Sequence, residues 1–436
     1  MSVDPIGVDA TPRGDVDDLI SYLDASPSPW HVVASSTARL VAAGFVQVDE
    51  ASEWRAVQAG FVVRGASIVA WRRPDVSGPT AGFRIVGAHT DSPCLRIKPR
   101  PDSGLLGWKQ LGVEVYGGAL LNSWLDRDLG IAGRVILRNG DSREIAVHEP
   151  IARVPQLAIH LDRDVNEKGL VLDKQQHLTP FWGVGPSRNG EFAEWLAGRL
   201  HVPATEVSWW ELSLFDVTGA ARLGADQSLL ASGRMDNQLS CWAATRALAA
   251  GSGSVGASDG GTHTSVIALF DHEEVGSESP SGAAGPLLST VLERLSAGSR
   301  DEFHRALAAS VCVSADNAHA VHPNYPDRHE PAHRPMVNQG PAIKINANQR
   351  YATSADSALQ FQLACERVGV PWQVFVSKNN MPCGSTIGPI TATRLGIPTV
   401  DVGIPQLSMH SARELCGVED PGYMAKALAA FFDGAE

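Results

Sequence analysis

At 436 residues and 44% hydrophobic content, the chain can bury a large core, and its length points to two or more domains rather than one. The net charge of −12, from 36 Lys+Arg against 48 Asp+Glu, offers no basic footprint for phosphate backbones and argues against nucleic acid as a partner. Six cysteines (Cys94, Cys241, Cys312, Cys365, Cys383, Cys416) show no C-x-x-C spacing and read as reduced thiols in a cytoplasm. The N-terminus carries acids early and no apolar core of a signal peptide, and no run approaches the roughly 20 apolar residues of a membrane span. The sequence thus predicts a cytoplasmic protein without a membrane partner.

Residues 15–45 carry apolar positions at helical spacing, broken by the "SPSPW" turn, and predict two helices. "GFVVRGASIVAWRRP" and "AGFRIVGAHTDSP" follow as β-branched strands, the second ending at His89. From about Ile97 to Gln227 short alternating strands dominate, with a hairpin signal at "NGD". After "SGRMDNQ" strand and helix alternate: "LSCWAATRALAAG", "TSVIALF", "SVCVSAD", "SALQFQLACERVGV", "WQVFVS". The fold class is therefore α/β, with a β-rich unit inserted into one catalytic domain. Residues 249–264, rich in Gly and Ser, read as a flexible surface loop.

Common catalytic motifs fail one after another. "HEEVG" at 272–276 begins like H-E-x-x-H, but Gly276 stands where the second histidine must be, and the stretch reads as a strand end. "GASDG" at 256–260 matches G-x-S-x-G without a preceding strand to form a nucleophile elbow. No phosphate-binding glycine loop is present.

What remains is a set of His, Asp and Glu residues that close or follow apolar strands: His89 and Asp91, Asp236, Glu273 and Glu274, Asp316, His410. Carboxyl ends of neighbouring strands in an α/β sheet converge on one crevice. Two histidines and several carboxylates gathered there suit zinc, or a pair of metal ions. Taken singly, each residue also fits a turn or a cap.

Five ordered stretches, "GAHTDSP", "SGRMDNQLS", "DHEEVGS", "SADNAHA" and "QLSMHSARE", together resemble the metal-site motifs of the aspartyl aminopeptidase and vacuolar aminopeptidase I family of dinuclear zinc exopeptidases. The resemblance extends over nearly the whole chain, through "SPSPWH", "YGGALLNSWLDRDLG", "VPQLAIHL", "GPAIKINANQRYAT" and "MPCGSTIGPI". It implies His89, Asp236, Glu274, Asp316 and His410 as metal ligands, with Asp236 bridging two Zn²⁺ per chain, Mn²⁺ or Co²⁺ being able to substitute. Asp91 would orient the His89 imidazole, and Glu273 would be the general base for a water bridging the two ions. Successive side chains diverge at a strand end, so one carboxylate can hold metal while its neighbour faces the water.

The resemblance further implies a three-layer zinc-exopeptidase catalytic domain (1–97 and 227–436) with an inserted β-rich dimerisation domain (98–226), assembled as a homododecamer built from dimers. It places His160 in the active site of a neighbouring subunit, where the residues alone would suggest a strand histidine satisfied by backbone. Substrates would be peptides with a free N-terminus. Lys344 resembles the cation that meets an acidic side chain, favouring N-terminal Asp or Glu, though it also fits an edge-strand position. Gly384 and Ser385 of "CGSTIG" could bring backbone N–H groups to the substrate, or form an ordinary turn. Removal of neutral residues such as Leu, a related dinuclear amidohydrolase, and a non-catalytic assembly protein are the alternatives.

Overall fold

Alternation along two strands accounts for the layers. In Phe83–His89, Val86 and Ala88 enter one buried cluster while Phe83 and Ile85 enter another. In Thr264–Phe270, Ile267 and Leu269 part from Val266, Ala268 and Phe270 in the same way. Successive strand residues face opposite sides, so strands apolar at nearly every position need cover on both faces. The computed structural model describes residues 13–54, 56–74, 78–250 and 263–434. Most of the expected loop at 249–264, including "GASDG", lies outside the described residues.

The main sheet has nine strands in the order Val46–Gln47, Ala59–Arg64, Ser67–Arg72, Thr264–Phe270, Phe83–His89, Val311–Ala315, Thr399–Gly403, Ala342–Ile345 and Gln373–Val376. The four strands from Thr264–Phe270 to Thr399–Gly403 are mutually parallel. Helices Arg13–Asp24, Pro29–Ala42, Met235–Ala250, Ala355–Arg367 and Asp420–Asp433 pack on one face, and Leu287–Ser296, Arg300–Ala308 and Ile387–Leu395 on the other. This is a three-layer α/β arrangement. The two helices expected in residues 15–45 form, the second starting at Ser28 as cap and Pro29 in its first turn, where a missing N–H costs nothing. Full burial of side chains such as Phe270 and Phe431 contributes about 1.5–3 kcal/mol each.

A second sheet of six antiparallel strands has the order Ser142–Ala152, Leu129–Leu137, Val207–Asp216, Cys94–Leu105, Trp108–Tyr116 and Phe181–Val184. It closes its own core with helix Glu191–Leu200. A third sheet, of short strands, was not visible in the sequence: Ala221–Leu223, Leu229–Ser232, Glu414–Gly417, Pro405–Leu407 and Ala318–His319. It pairs Ser232 with Glu414, which brings the chain before Asp236 beside the chain after His410. Among the described residues no helix is long and apolar enough to cross a membrane, and all six cysteines are free.

Candidate metal centre

The carboxyl edge of the parallel strands delivers the polar residues to one place. His89 closes its strand opposite Phe270, and Asp316 directly follows Val311–Ala315. Asp236 sits at the start of helix Met235–Ala250, where its backbone and that of Asn237 are non-helical. His410 follows Pro405–Leu407 with a left-handed φ of 66°.

Two triads result, His89–Asp236–Asp316 and Asp236–Glu274–His410, each with ligand atoms within 4.8 Å of one another. They share Asp236, whose Oδ1 lies 3.4 Å from His89 Nε2 and whose Oδ2 lies 3.4 Å from His410 Nε2. Asp316 Oδ1 is 3.6 Å from His89 Nε2, and Glu274 Oε1 is 3.4 Å from His410 Nε2. Glu273 also falls within reach, with Oε2 4.0 Å from His89 Nε2, and it forms a third group with His89 and Glu274.

So many buried carboxylates are costly unless cations face them. Burial first, then Asp316 and Asp236, pushes the Glu273 carboxyl up to about 7 against the pull of His89. Burial, followed by Asp236, raises Glu274 well above its ordinary value. Burial alone would lower His410, yet hydrogen bonding to Asp236 and the charge of Glu274 carry it up to about 10. His89 is likewise raised, by Asp236, Asp316 and Asp91, despite its burial. Among the described residues, no hydrogen-bond donor meets the buried Asp236 Oδ1 or Glu274 Oε1. Imidazole nitrogens and carboxylate oxygens grouped around two such orphaned acceptors fit divalent cations, zinc among them.

The supporting contacts correct two expectations. The strand Thr264–Phe270 ends before the acids, and Glu273–Val275 is a single 3₁₀ turn bracketed by left-handed His272 (φ 68°) and Gly276 (φ 98°). Glu273 and Glu274 therefore diverge because of a turn, not a strand end. Its two leading amides donate to Asp91, Glu273 N to Oδ1 and Glu274 N to Oδ2, both at 3.1 Å. Asp91 itself lies beyond its strand, and His89 Nδ1 stands 3.0 Å from the Asp91 carbonyl oxygen and 3.5 Å from Oδ1. A backbone acceptor thus shares the orienting of His89 with the carboxylate.

Glu414 escaped the sequence reading although it lies within "QLSMHSARE". It is 2% exposed and accepts from the backbone N–H of Asp236 at 3.0 Å and of His410 at 2.7 Å. A buried acid four residues after a candidate ligand was the available signal. Gly117 and Gly118 were missed as well. A Cβ on Gly117, at φ +69°, would come within 3.0 Å of Glu274 Cβ, and the Gly118 carbonyl is 3.1 Å from His410 Nδ1. Only glycine permits that approach at such a φ.

Lys344 is 2% exposed, with Nζ 3.6 Å from Asp316 Oδ2, 3.3 Å from the Asn317 carbonyl and 4.9 Å from the Tyr351 ring centroid. Its strand is hydrogen-bonded on both sides, so the edge-strand alternative fails. Gly384 and Ser385 are exposed just before Thr386, the cap of helix Ile387–Leu395. Their neighbour Cys383 packs against the cluster that contains Tyr351. His160 is exposed in a turn rather than a strand, which removes the strand-histidine alternative. Among the described residues, no hydrogen bond or ion pair joins His160, Gly384 or Ser385 to the two triads.

Histidine and carboxylate triads at the carboxyl edge of a three-layer α/β sheet define the class, a metal-dependent hydrolase. The chain belongs to the family described as aminopeptidase I zinc metalloprotease (M18), whose profile matches residues 22–432. It is 54% identical over 425 residues to a "Probable M18 family aminopeptidase 2" of Streptomyces coelicolor, covering 96% of this chain and 98% of that one. The fold is similar to Ape4 in its complex with Nbr1 (TM-score 0.92, 34% identity, 96% and 85% of the two chains). It is also similar to the mApe1 dodecamer of S. cerevisiae (TM-score 0.83, 28% identity, 96% of each chain). The protein is thus a zinc metallo-aminopeptidase of that family.

Proposed function

We propose that the chain removes N-terminal Asp or Glu from peptides at a two-metal centre, with His89 and Asp316 holding one ion, Glu274 and His410 the other, and Asp236 shared. The observation that carries the count of two is the pair of triads meeting at the two oxygens of Asp236. Two divalent cations bound there would lower the pKa of a water between them and polarise the scissile carbonyl. Glu273 takes the proton of the attacking water and returns it to the leaving amine. Asp91 holds the turn on which Glu273 stands, and Lys344 presents its charge at the flank of Asp316 to an acidic side chain. Gly384 and Ser385 supply backbone N–H groups to the substrate. The neutral-residue reading has one observation in its favour: the Lys344 ammonium is already faced by Asp316.

The same reading treats 98–226 as an inserted dimerisation domain between catalytic segments 1–97 and 227–436, supported by the separate core of the six-stranded sheet. Self-association into a homododecamer built from dimers is supported by the mApe1 dodecamer. His160 enters a neighbour's site, in keeping with its exposure between the exposed apolar residues Leu157, Ile159 and Leu161. A cytoplasmic location is supported by the six free cysteines.

Turnover of a panel of aminoacyl chromogenic substrates and their N-acylated counterparts, with added Zn²⁺, Mn²⁺ or Co²⁺, tests the proposal. We expect the highest kcat/KM with Asp and Glu. A preference for Leu moves the protein to the neutral branch, hydrolysis of N-acylated substrates to the amidohydrolases, and no turnover of any member to an assembly role.

A further inference from the structure

The six-stranded sheet reaches the metal centre through the end of one strand. Trp108–Tyr116 stops at Tyr116, whose hydroxyl donates to Asp91 Oδ2 at 2.6 Å. The Tyr116 ring is held in turn by the Arg96 guanidinium, 3.7 Å from its centroid, and the residue is 7% exposed. Beside His89 Nδ1, 3.5 Å from Oδ1, the Asp91 carboxylate therefore holds Tyr116 and the Glu274 amide on Oδ2 and the Glu273 amide on Oδ1.

The first amides of a helical turn have no partner within the turn. Here their partner is Asp91, so the orientation of that one carboxylate decides where the turn sits. Two amides on one short turn can shift together with the carboxylate. The hydroxyl cannot, because it belongs to a different sheet and its ring is pinned by Arg96. We propose that Tyr116 is a positioning residue for catalysis, acting through Asp91 to set the place of the Glu273 carboxylate, so that the six-stranded sheet forms part of the catalytic apparatus. This rests on the reading of Glu273 as the general base.

The test is Tyr116→Phe in the full-length, metal-loaded enzyme, which keeps the ring against Arg96 and removes only the hydroxyl. We expect kcat to fall about 10-fold or more, since a charged acceptor loses a donor and the base loses its register. KM should stay within about twofold and metal content should match the parent, while Tm falls by no more than a few degrees for the one lost hydrogen bond. Arg96→Met, which loosens the ring but keeps the hydroxyl, should lower kcat in the same direction by less. In an Asp91→Asn background Tyr116→Phe should cost little more, because both act through one carboxylate. A kcat within about twofold of the parent overturns the proposal. So does a raised KM at unchanged kcat, a loss of metal with full kcat at saturating metal, or an undiminished Tyr116→Phe effect in the Asp91→Asn background. Failure of the underlying reading shows separately, as activity retained by Glu273→Gln.

Discussion

Glu273→Gln deletes one negative charge with almost no change of shape, and it should act oppositely on activity and on the stability of the metal-free protein. In the loaded enzyme the loss of the base should lower kcat by about 10²–10⁴. Metal content should hold, since Glu273 makes the longest of the carboxylate contacts to His89 Nε2, at 4.0 Å. With the metals chelated, the Glu273 carboxyl titrates at about 7 rather than 4.5, because burial and the neighbouring Asp316 and Asp236 disfavour its charge. A raised carboxyl pKa means that the folded state keeps a proton the unfolded state has lost. The corresponding stability is present below about pH 4.5 and is lost as pH rises through about 7. At 1.36 kcal/mol per unit, the chelated parent at pH 8 lacks about 3 kcal/mol that the glutamine variant retains. Thermal unfolding of both chelated proteins at pH 5 and pH 8 measures this: Tm should be nearly equal at pH 5 and a few degrees higher for the variant at pH 8. Near-normal kcat in Glu273→Gln would refute the base assignment. Loss of one metal would make Glu273 a ligand, and equal Tm values at pH 8 would refute the electrostatic account.

Four further outcomes are expected. Glu414→Gln replaces an acceptor of two amides with a group that turns an NH₂ toward one of them, and should weaken metal binding about 10–100-fold in a chelator competition. Elemental analysis of the active parent should give two metals per chain. Lys344→Met should shrink the preference for acidic over neutral substrates by roughly 2–5 kcal/mol in kcat/KM, provided the parent prefers acidic ones. An unchanged ratio assigns Lys344 to Asp316 alone. His160→Ala and Glu273→Gln chains, each nearly inactive, should regain activity when co-expressed with different tags, because mixed oligomers contain some complete sites. Mixed oligomers without activity above the sum of the single variants reject a shared site.

Much of the catalytic layer was legible because its strands are apolar at almost every position and stop abruptly at an ionisable residue. The run ending at His89 and the run "TSVIALF" match their strands, since a central parallel strand buried on both faces leaves a contiguous signal. The candidate ligands were readable for the same reason, as acids and imidazoles where a core strand gives way to a turn. Chain order alone could not show that His89 and His410 flank the two oxygens of one aspartate. That depends on the order of strands in the main sheet and on a third sheet whose strands are as short as Ala318–His319, too brief to carry a periodicity. The 3₁₀ turn at Glu273, the anchoring of two ligand backbones by Glu414 and the reach of Tyr116 to Asp91 are likewise tertiary. Each depends on the distance between groups far apart in the chain, and a buried carboxylate has one chemical identity in the sequence whether it holds a metal, an amide or a hydroxyl. Sequence determined which groups were available for metal and acid–base chemistry, and packing alone decided which partner each carboxylate received.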